Sequence, residues 1–183
     1  MSVRPVRIYG DPVLREKAAP VDTFDDALRR LAQDLRDTMV AYGGVGLAAN
    51  QVGAAWRIAV VDVPLESDER ARYTLVNPVI EARSGTETAE EGCLSIPGVY
   101  EDVTRSLTLR LKARDENGRE FELLAEGYLA RALQHEIDHL DGVLFIDRLS
   151  PLRRQFLKRA LEALARGELP EDYRPPVAPG GAV

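Results

Sequence analysis

The sequence lacks the features that are typical of secreted proteins and of membrane-spanning proteins. Its single cysteine, Cys93, excludes an internal disulfide and fits a reducing compartment. No apolar run approaches the roughly 18 residues of a membrane span, and the opening MSVRPVRIYG lacks the apolar region of a secretion signal. We therefore expect a cytoplasmic protein that has no membrane partner.

Acidic residues outnumber basic ones. The 183 residues include 24 Lys and Arg against 30 Asp and Glu, a formal net charge of −6. Because phosphate recognition needs clustered cations, this balance argues against DNA as a partner. The length suits one compact domain, and no internal repeat or linker divides the chain. We expect a single domain over 1–168 and a disordered Pro/Gly-rich tail over 169–183.

Apolar residues at helical spacing predict a first helix in VDTFDDALRRLAQDLRDTMVAYGG. Thr23 and Asp26 resemble a capping box at its start, and Gly43 ends it. The segments RIAVVDV and YTLVNPVI are rich in β-branched residues and predict two strands, which Pro64 and Pro78 interrupt.

The second half of the chain changes from strand to helix patterning. SLTLRLKARDENGREFELLAEG alternates on both sides of Asn117–Gly118 and predicts a hairpin. GYLARALQHEIDHLDG then has helical spacing as far as Gly142, and SPLRRQFLKRALEALARG predicts a basic final helix. The order of strands and helices along the chain predicts an α+β fold. We expect small antiparallel or mixed sheets packed around a central helix that carries the HExxH motif (His135 to His139), and a C-terminal helix.

Both histidines of the chain lie in LQHEIDHLDG. His135 and His139 are four residues apart, so on a helix their side chains are neighbours that could bind one metal ion. Glu136 follows the first histidine and would lie near a water molecule on the metal. The plain structural alternative is a helix whose histidines bond to carbonyl groups. A catalytic site also needs a third protein ligand and an open position.

The third ligand must be Cys93 or a carboxylate, because the chain has no third histidine. The segment EEGCLSIPG places Cys93 in a shaped loop or bulge, where its thiolate would complete a Cys-His-His site. A single cysteine is more commonly a small buried apolar residue, so spacing leaves the two interpretations balanced. A zincin-type protease would instead use a downstream acid such as Glu162 or Glu168, which lie in the basic helix and the tail.

The segment GGVGLAANQVG is rich in glycine but lacks the Lys-Ser/Thr pair of a phosphate-binding loop. Its glycines would let a bound peptide lie along it as an added strand. Gln51 can donate two amide hydrogens from this segment, although a solvated loop glutamine is the ordinary case.

Together, GVGLAANQ, EGCLS and QHEIDHLDG resemble in order and separation the three signature segments of the peptide deformylases. These enzymes remove the N-formyl group from new bacterial and organellar proteins. The match spans Gly44 to Gly142 and extends weakly to YGDPVLREKA. The resemblance implies that the domain over 1–168 is catalytic. It also implies that metal-bound hydroxide attacks the formyl carbon of N-formylmethionyl nascent polypeptides, releasing formate.

The resemblance also implies a role for individual residues. The implied metal ligands are Cys93, His135 and His139. Glu136 is implied as general acid and base, and Gln51 with the backbone N–H of Leu94 as the oxyanion hole. Glu91 is a candidate acceptor from a ligand imidazole, although a surface charge is as common. The residues expected to bind substrate are Gly44, Val45, Gly46, Gly92, Tyr128 and Ala132.

The metal and the contacts beyond formylmethionine are less well defined. The family usually carries ferrous iron, so the resemblance implies one Fe²⁺ per chain, although spacing does not choose between iron, zinc, nickel and cobalt. Some relatives have a substrate-contacting arginine where this chain has Val99 and Tyr100, whereas Arg105 stays at a basic position of the pattern.

The final helix has a charge opposite to that of the chain as a whole. Its cations are Arg153, Arg154, Lys158, Arg159 and Arg166. Glu162 is the single acid in PLRRQFLKRALEALARG. A solvated helix face would explain this pattern, but our hypothesis is that the helix docks on ribosomal RNA near the nascent-chain exit.

Overall fold

The computed structural model of the chain describes residues 2–65 and 69–175. Its helices are α1 (Asp26–Ala41), α2 (Gly127–Leu140) and α3 (Pro151–Ala165). Its strands are β1 (Gly46–Ala48), β2 (Ile58–Pro64), β3 (Arg70–Ser84), β4 (Glu87–Cys93), β5 (Ile96–Arg105), β6 (Thr108–Arg114) and β7 (Glu120–Glu126). Short 3-10 helices connect some of these elements, including Ala49–Val52 directly after β1.

The strands form two antiparallel sheets in the described part of the chain. One has the order β1-β2-β3-β6-β7, and the other pairs β4 with β5. Helix α2 packs Leu129 and Leu133 into the apolar core of the larger sheet. On its other side, Arg131 donates to the carbonyl groups of Ala89 in β4 and Val103 in β5. The predicted α+β class is confirmed, and the HExxH helix lies between the two sheets.

Helix α1 begins later than the predicted capping box. The N-cap is Asp25, whose side chain accepts from the N–H of Leu28 at 3.0 Å, so the capping pair of Thr23 and Asp26 was wrong. An aspartate in extended backbone one residue before the helix satisfies this free N–H directly. The predicted end is confirmed by Gly43, which has a φ of 69°.

Both predicted strands before the hairpin form, but Pro78 does not end the second one. Strand β3 continues through it with a shift in register between Val76 and Val79. Asn77 there has a φ of 51°, and its side chain exchanges two hydrogen bonds with the backbone of Val21, at 2.9 and 2.8 Å. A bulge tolerates proline because no ladder hydrogen bond from its nitrogen is required.

The predicted hairpin and final helix are also present. Strands β6 and β7 pair throughout, and Gly118 in their turn has a φ of 83°. Helix α3 begins after Ser150, whose hydroxyl accepts from the N–H of Arg153. Residues 169–175 follow it, and the rest of the predicted disordered tail lies outside the described residues. The division into a domain over 1–168 and a disordered tail therefore stays a prediction. None of the helices in the described ranges has both the length and the apolar character that a membrane span requires.

Gly142, two residues after the end of α2, lies in a position that favours glycine. Its φ is 73°, and a Cβ there would lie 2.5 Å from the carbonyl oxygen of Arg15. We expect Gly142→Ala to lower the free energy of unfolding by about 3 kcal/mol, because the positive φ and the main-chain clash both cost energy. Urea titration followed by circular dichroism measures this loss.

Gly167→Ala is the matched control. Gly167 also has a positive φ, 83°, but a Cβ there meets nothing within 4 Å. Its substitution should lower the free energy of unfolding by only about 1 kcal/mol, because the positive φ is the single cost. Equal losses for the two variants would contradict the tight contact between Gly142 and Arg15.

Candidate active site

Three side chains from distant parts of the chain converge between the two sheets. The Sγ of Cys93 lies 3.2 Å from the Nε2 of His139, which lies 3.2 Å from the Nε2 of His135. All three atoms lie within 4.8 Å of one another. A sulfur and two imidazole nitrogens that face a common point are a donor set for a divalent transition metal.

The local structure explains why these side chains meet. His135 and His139 lie on one face of α2, one turn apart. Cys93 is the last residue of β4, and the pairing with β5 shifts register between Gly92 and Cys93, so a bulge forms as predicted. A Cβ at position 92 would lie 2.5 Å from the ring of Tyr100, so glycine lets this exposed ring pack against the bulge.

The environment of His139 favours metal binding. The residue is 1% exposed, and burial lowers the pKa of its ring well below the ordinary value, so the ring is neutral. Its Nδ1 has no hydrogen-bond partner among the described residues, whereas its Nε2 faces the other two ligand atoms. The side-chain amide of Asn50 donates to the carbonyl of His139 and fixes this end of α2. A neutral imidazole is the form that binds a metal, so His139 fits this role.

Glu91 orients the other imidazole. Its carboxylate accepts from the Nδ1 of His135 at 3.0 Å, from Arg105 at 2.8 and 2.9 Å, and from Arg131 at 2.8 Å. Burial would raise the pKa of Glu91, but the hydrogen bonds from Arg105 and His135 outweigh it and hold the pKa well below its ordinary value. The ionised carboxylate fixes the proton on Nδ1 and leaves Nε2 facing the other ligands.

A second acid, Asp138, also holds Arg105 in place, and no sequence pattern indicated this contact. Arg105 also donates to Asp138 of α2, whose carboxylate accepts from Arg148 at 2.6 and 2.5 Å. Arg105 is 4% exposed, and its guanidinium supports Glu91 from inside the protein. Asp138 lies within the motif itself, yet no spacing rule marks a buried acid at that position.

Glu136 lies in a tight, buried space beside this group of three side chains. It is 4% exposed, its Oε2 has no hydrogen-bond partner in the described ranges, and burial raises its pKa to about 7. A Cβ at Gly46 would lie 2.3 Å from its Oε1, so this glycine provides the room. A carboxyl group with a pKa near neutrality can both accept and deliver a proton.

Gln51 is not a solvated loop residue. It is 2% exposed and lies in the 3-10 helix after β1, where its Oε1 accepts from the N–H of Ala48 at 2.9 Å. Its Nε2 donates to the hydroxyl of Ser95 at 3.1 Å and lies 3.6 Å from the Sγ of Cys93. One amide hydrogen therefore points to Ser95, and the amide nitrogen also faces the sulfur of Cys93.

A cleft of about 530 Å³ opens over these groups. The predicted site residues that line it are Gly44, Val45, Gly46, Gln51, Glu91, Gly92, Cys93, Leu94, Tyr128, Ala132, His135 and Glu136. His139 lies behind them. The sequence did not indicate Tyr42, Pro97 or the tail segment from Pro170 to Arg174, parts of which also line the cleft. Tyr100 lines it as well, whereas its neighbour Val99 is buried in the core.

The zincin alternative lacks support from the structure. Among the described residues, the group that can bind a metal contains Cys93 and neither of the downstream acids. Glu162 pairs with Lys158 at 3.8 Å, and Glu168 pairs with Arg166 at 2.7 Å, all at the exposed surface.

A family model described as polypeptide deformylase matches residues 3–155. The chain belongs to this family. A peptide deformylase of Alkalilimnicola ehrlichii is 51% identical over 166 residues, covering 91% of this chain and 93% of that protein. The crystal structure of peptide deformylase from Thermus thermophilus is 48% identical with a TM-score of 0.83, over 90% of this chain and 99% of that one.

A further solved relative is the peptide deformylase from Ehrlichia chaffeensis in complex with actinonin. It is 39% identical, has a TM-score of 0.84 and covers 92% of this chain and 99% of its own. The resemblance to peptide deformylases is confirmed, and with it the assignment of this chain to the hydrolases. Members of this family are metal-dependent, which agrees with the Cys93, His135 and His139 group.

The support that Glu91 gives to His135 can be tested through metal affinity. We expect Glu91→Gln to weaken Zn²⁺ binding about 10- to 100-fold, because the amide orients the imidazole less strongly than a carboxylate. Competition with a chelator measures the affinity. Glu90→Gln is the control, since this neighbouring residue is exposed on β4 and should leave the affinity within about twofold. Equal affinities for both variants would contradict the role of Glu91.

Proposed function

We propose that this chain hydrolyses the formamide bond of N-formylmethionyl peptides, releasing formate and a free N-terminal amine. The observation that carries the proposal is that Glu136 and Gln51 line the same cleft as Cys93 and His135. His139 completes the group of three behind them. The names of the relatives support the same reaction.

We propose Cys93, His135 and His139 as the ligands of one Fe²⁺ ion. The iron assignment rests on the family resemblance, because the same donors also suit Zn²⁺, Ni²⁺ and Co²⁺. When bound, a divalent metal supplies Lewis acidity and lowers the pKa of water from about 15.7 toward 7.

Glu136 moves the proton in this proposal. Its carboxylate accepts a proton from the attacking water and then delivers it to the nitrogen of the leaving amine. Its raised pKa of about 7 suits both steps, since donor and acceptor forms are both populated near neutral pH. Burial and the absence of another described partner for Oε2 leave that oxygen free for the reaction.

Gln51 and the backbone N–H of Leu94 would stabilise the oxyanion. The side chain of Gln51 is held by Ala48 and Ser95, so its amide hydrogen needs little reorganisation to reach the developing charge. A preorganised donor of this kind contributes about 3 kcal/mol to transition-state stability.

The cleft walls fit an extended peptide. Strand β1 lies at the edge of the larger sheet and pairs only with β2 among the described strands, so a substrate backbone could add beside Gly44, Val45 and Gly46. The remaining proposed substrate contacts are Gly92, Leu94, Tyr128 and Ala132. Tyr128 is 51% exposed, so in this proposal its ring would lie at the open side of the space that takes the methionine side chain.

Formate release tests the proposed function. Protein purified without oxygen and loaded with Fe²⁺ is expected to release formate from formyl-Met-Ala-Ser and to leave its internal peptide bonds intact. An enzymatic formate assay and mass spectrometry of the peptide measure these two results. Internal cleavage without formate would indicate an endopeptidase and would contradict the proposal.

The matched control is Glu136→Gln, which keeps the shape of the side chain but cannot carry the proton. It should bind the same amount of metal and lose about 10²- to 10⁴-fold in kcat. Turnover close to that of the unchanged chain would remove Glu136 from the mechanism, and loss of the metal would assign it a structural role instead.

We also propose that α3 docks on ribosomal RNA near the nascent-chain exit. Arg154 and Arg159 on this helix are exposed and have no ion-pair partner among the described residues. Leu152 is 63% exposed and Phe156 74% exposed on the same helix. Free cations beside apolar side chains suit a phosphate-rich partner surface.

Charge reversal tests this docking. Arg154→Glu with Arg159→Glu should weaken cosedimentation with ribosomes at least about tenfold, because each removed cation lowers the attraction to phosphate. Arg30→Glu with Arg119→Glu changes the net charge equally at two exposed positions away from α3 and should leave binding unchanged. Undiminished binding of the α3 variant, or equal loss in both variants, would contradict docking through this helix.

A further inference from the structure

One wall of the cleft comes from a part of the chain beyond the family match. The match ends at residue 155, whereas Pro170, Asp172, Tyr173 and Arg174 line the same cleft as the metal ligands. We propose that residues 170–174 determine specificity by contacting the peptide residues that follow formylmethionine, so that longer formylated peptides bind more tightly than formyl dipeptides. This inference rests on the proposed deformylation.

The first anchor of this segment lies on the smaller sheet. Pro170 packs against Gly98 of β5, where a Cβ would come within 3.0 Å of the proline ring. Gly98 has a φ of 78°, so glycine is favoured there for its backbone as well as for this close approach. The segment therefore begins against the strand that continues from the Cys93 bulge.

The second anchor lies on the side of the larger sheet. Tyr173 is partly buried and lines the cleft together with Tyr42, whose hydroxyl accepts from the N–H of Val6 at 3.3 Å. Burial and the contact with Tyr42 raise the pKa of Tyr173, so the phenol is neutral. Tyr42 directly precedes the glycine segment that leads into β1.

Between these anchors the segment is folded on itself. The N–H of Tyr173 donates to the carbonyl of Pro170 at 3.0 Å. Arg174 donates to the carbonyl of Tyr173 at 2.9 Å and to that of Glu171. The segment thus forms a shaped turn that joins the two walls of the cleft and presents the ring of Tyr173 between them.

This position explains why the effect should depend on peptide length. The formyl group must lie at the metal ligands, and its methionine beside Val45 and Tyr128. Residues further along the peptide would run out of the cleft, where Tyr173 and Pro170 offer apolar surface. Contacts made equally in the bound substrate and the transition state change KM and leave kcat unaffected.

The test compares three chains on two peptides, formyl-Met-Ala and formyl-Met-Ala-Ser-Leu-Ala. The full chain, a chain that ends at Leu169 and a control chain that ends at Pro175 all retain α3, which ends at Ala165. In the chain that ends at Leu169, KM for the pentapeptide should rise about tenfold with kcat within twofold. Its KM for the dipeptide should change by less than about twofold, and the control should match the full chain.

Substitutions in the full chain separate the ring of Tyr173 from its hydroxyl. Tyr173→Ala should reproduce most of the rise in KM for the pentapeptide, and Tyr173→Phe should restore it to within about threefold of the full chain. Circular dichroism and metal content should be the same for all variants, because neither the ligands nor α3 is altered.

Four results would overturn the inference. Equal rises in KM for both peptides would mean that the segment only supports the fold. A fall in KM for the pentapeptide would mean that it obstructs the cleft. The same rise in KM for the pentapeptide in the chain that ends at Pro175 would assign the effect to residues after Pro175. Failure of the metal-loaded full chain to release formate from either peptide would refute the proposed deformylation, and this inference with it.

Discussion

The buried carboxylate of Glu91 is the interaction on which the candidate site depends. It lies on β4 and accepts from His135 and Arg131 of α2 and from Arg105 of β5. These contacts hold the motif helix against the smaller sheet, where Cys93 follows two residues later. Removal of one partner from such a buried network leaves uncompensated charges, so its parts are strongly interdependent. The network brings the sulfur of Cys93 and the imidazole of His135 together.

The same small volume keeps neighbouring groups in different protonation states. Glu91 is ionised because arginine and histidine hydrogen bonds outweigh its burial. His139 is neutral because burial disfavours its charge, and Glu136 is poised at a pKa of about 7 because few partners offset its burial. Each environment suits a separate task, namely orienting a ligand, binding a metal and moving a proton. Side chains of similar chemistry thus acquire different protonation states from their burial and their hydrogen-bond partners.

Sequence patterns predicted the local features and left the long-range ones open. Helical spacing placed His135 and His139 on one face, but spacing could not choose Cys93 over a carboxylate, because separation along the chain does not fix distance in space. The family resemblance made that choice. No pattern indicated the support of Arg105 by Asp138, or the wall that Tyr173 adds to the cleft. Both depend on how distant elements pack, and a short propensity signal does not contain that information.

The central claim is that one thiolate and two imidazoles bind a single metal ion at the floor of the cleft. X-ray absorption spectroscopy of the metal-loaded chain tests it most directly, because sulfur and nitrogen neighbours of the metal scatter differently. We expect one sulfur and two imidazole nitrogens bound to one metal per chain, and no sulfur in the Cys93→Ser variant. A spectrum of the unchanged chain without sulfur, or with a sulfur signal that persists in Cys93→Ser, would contradict the account.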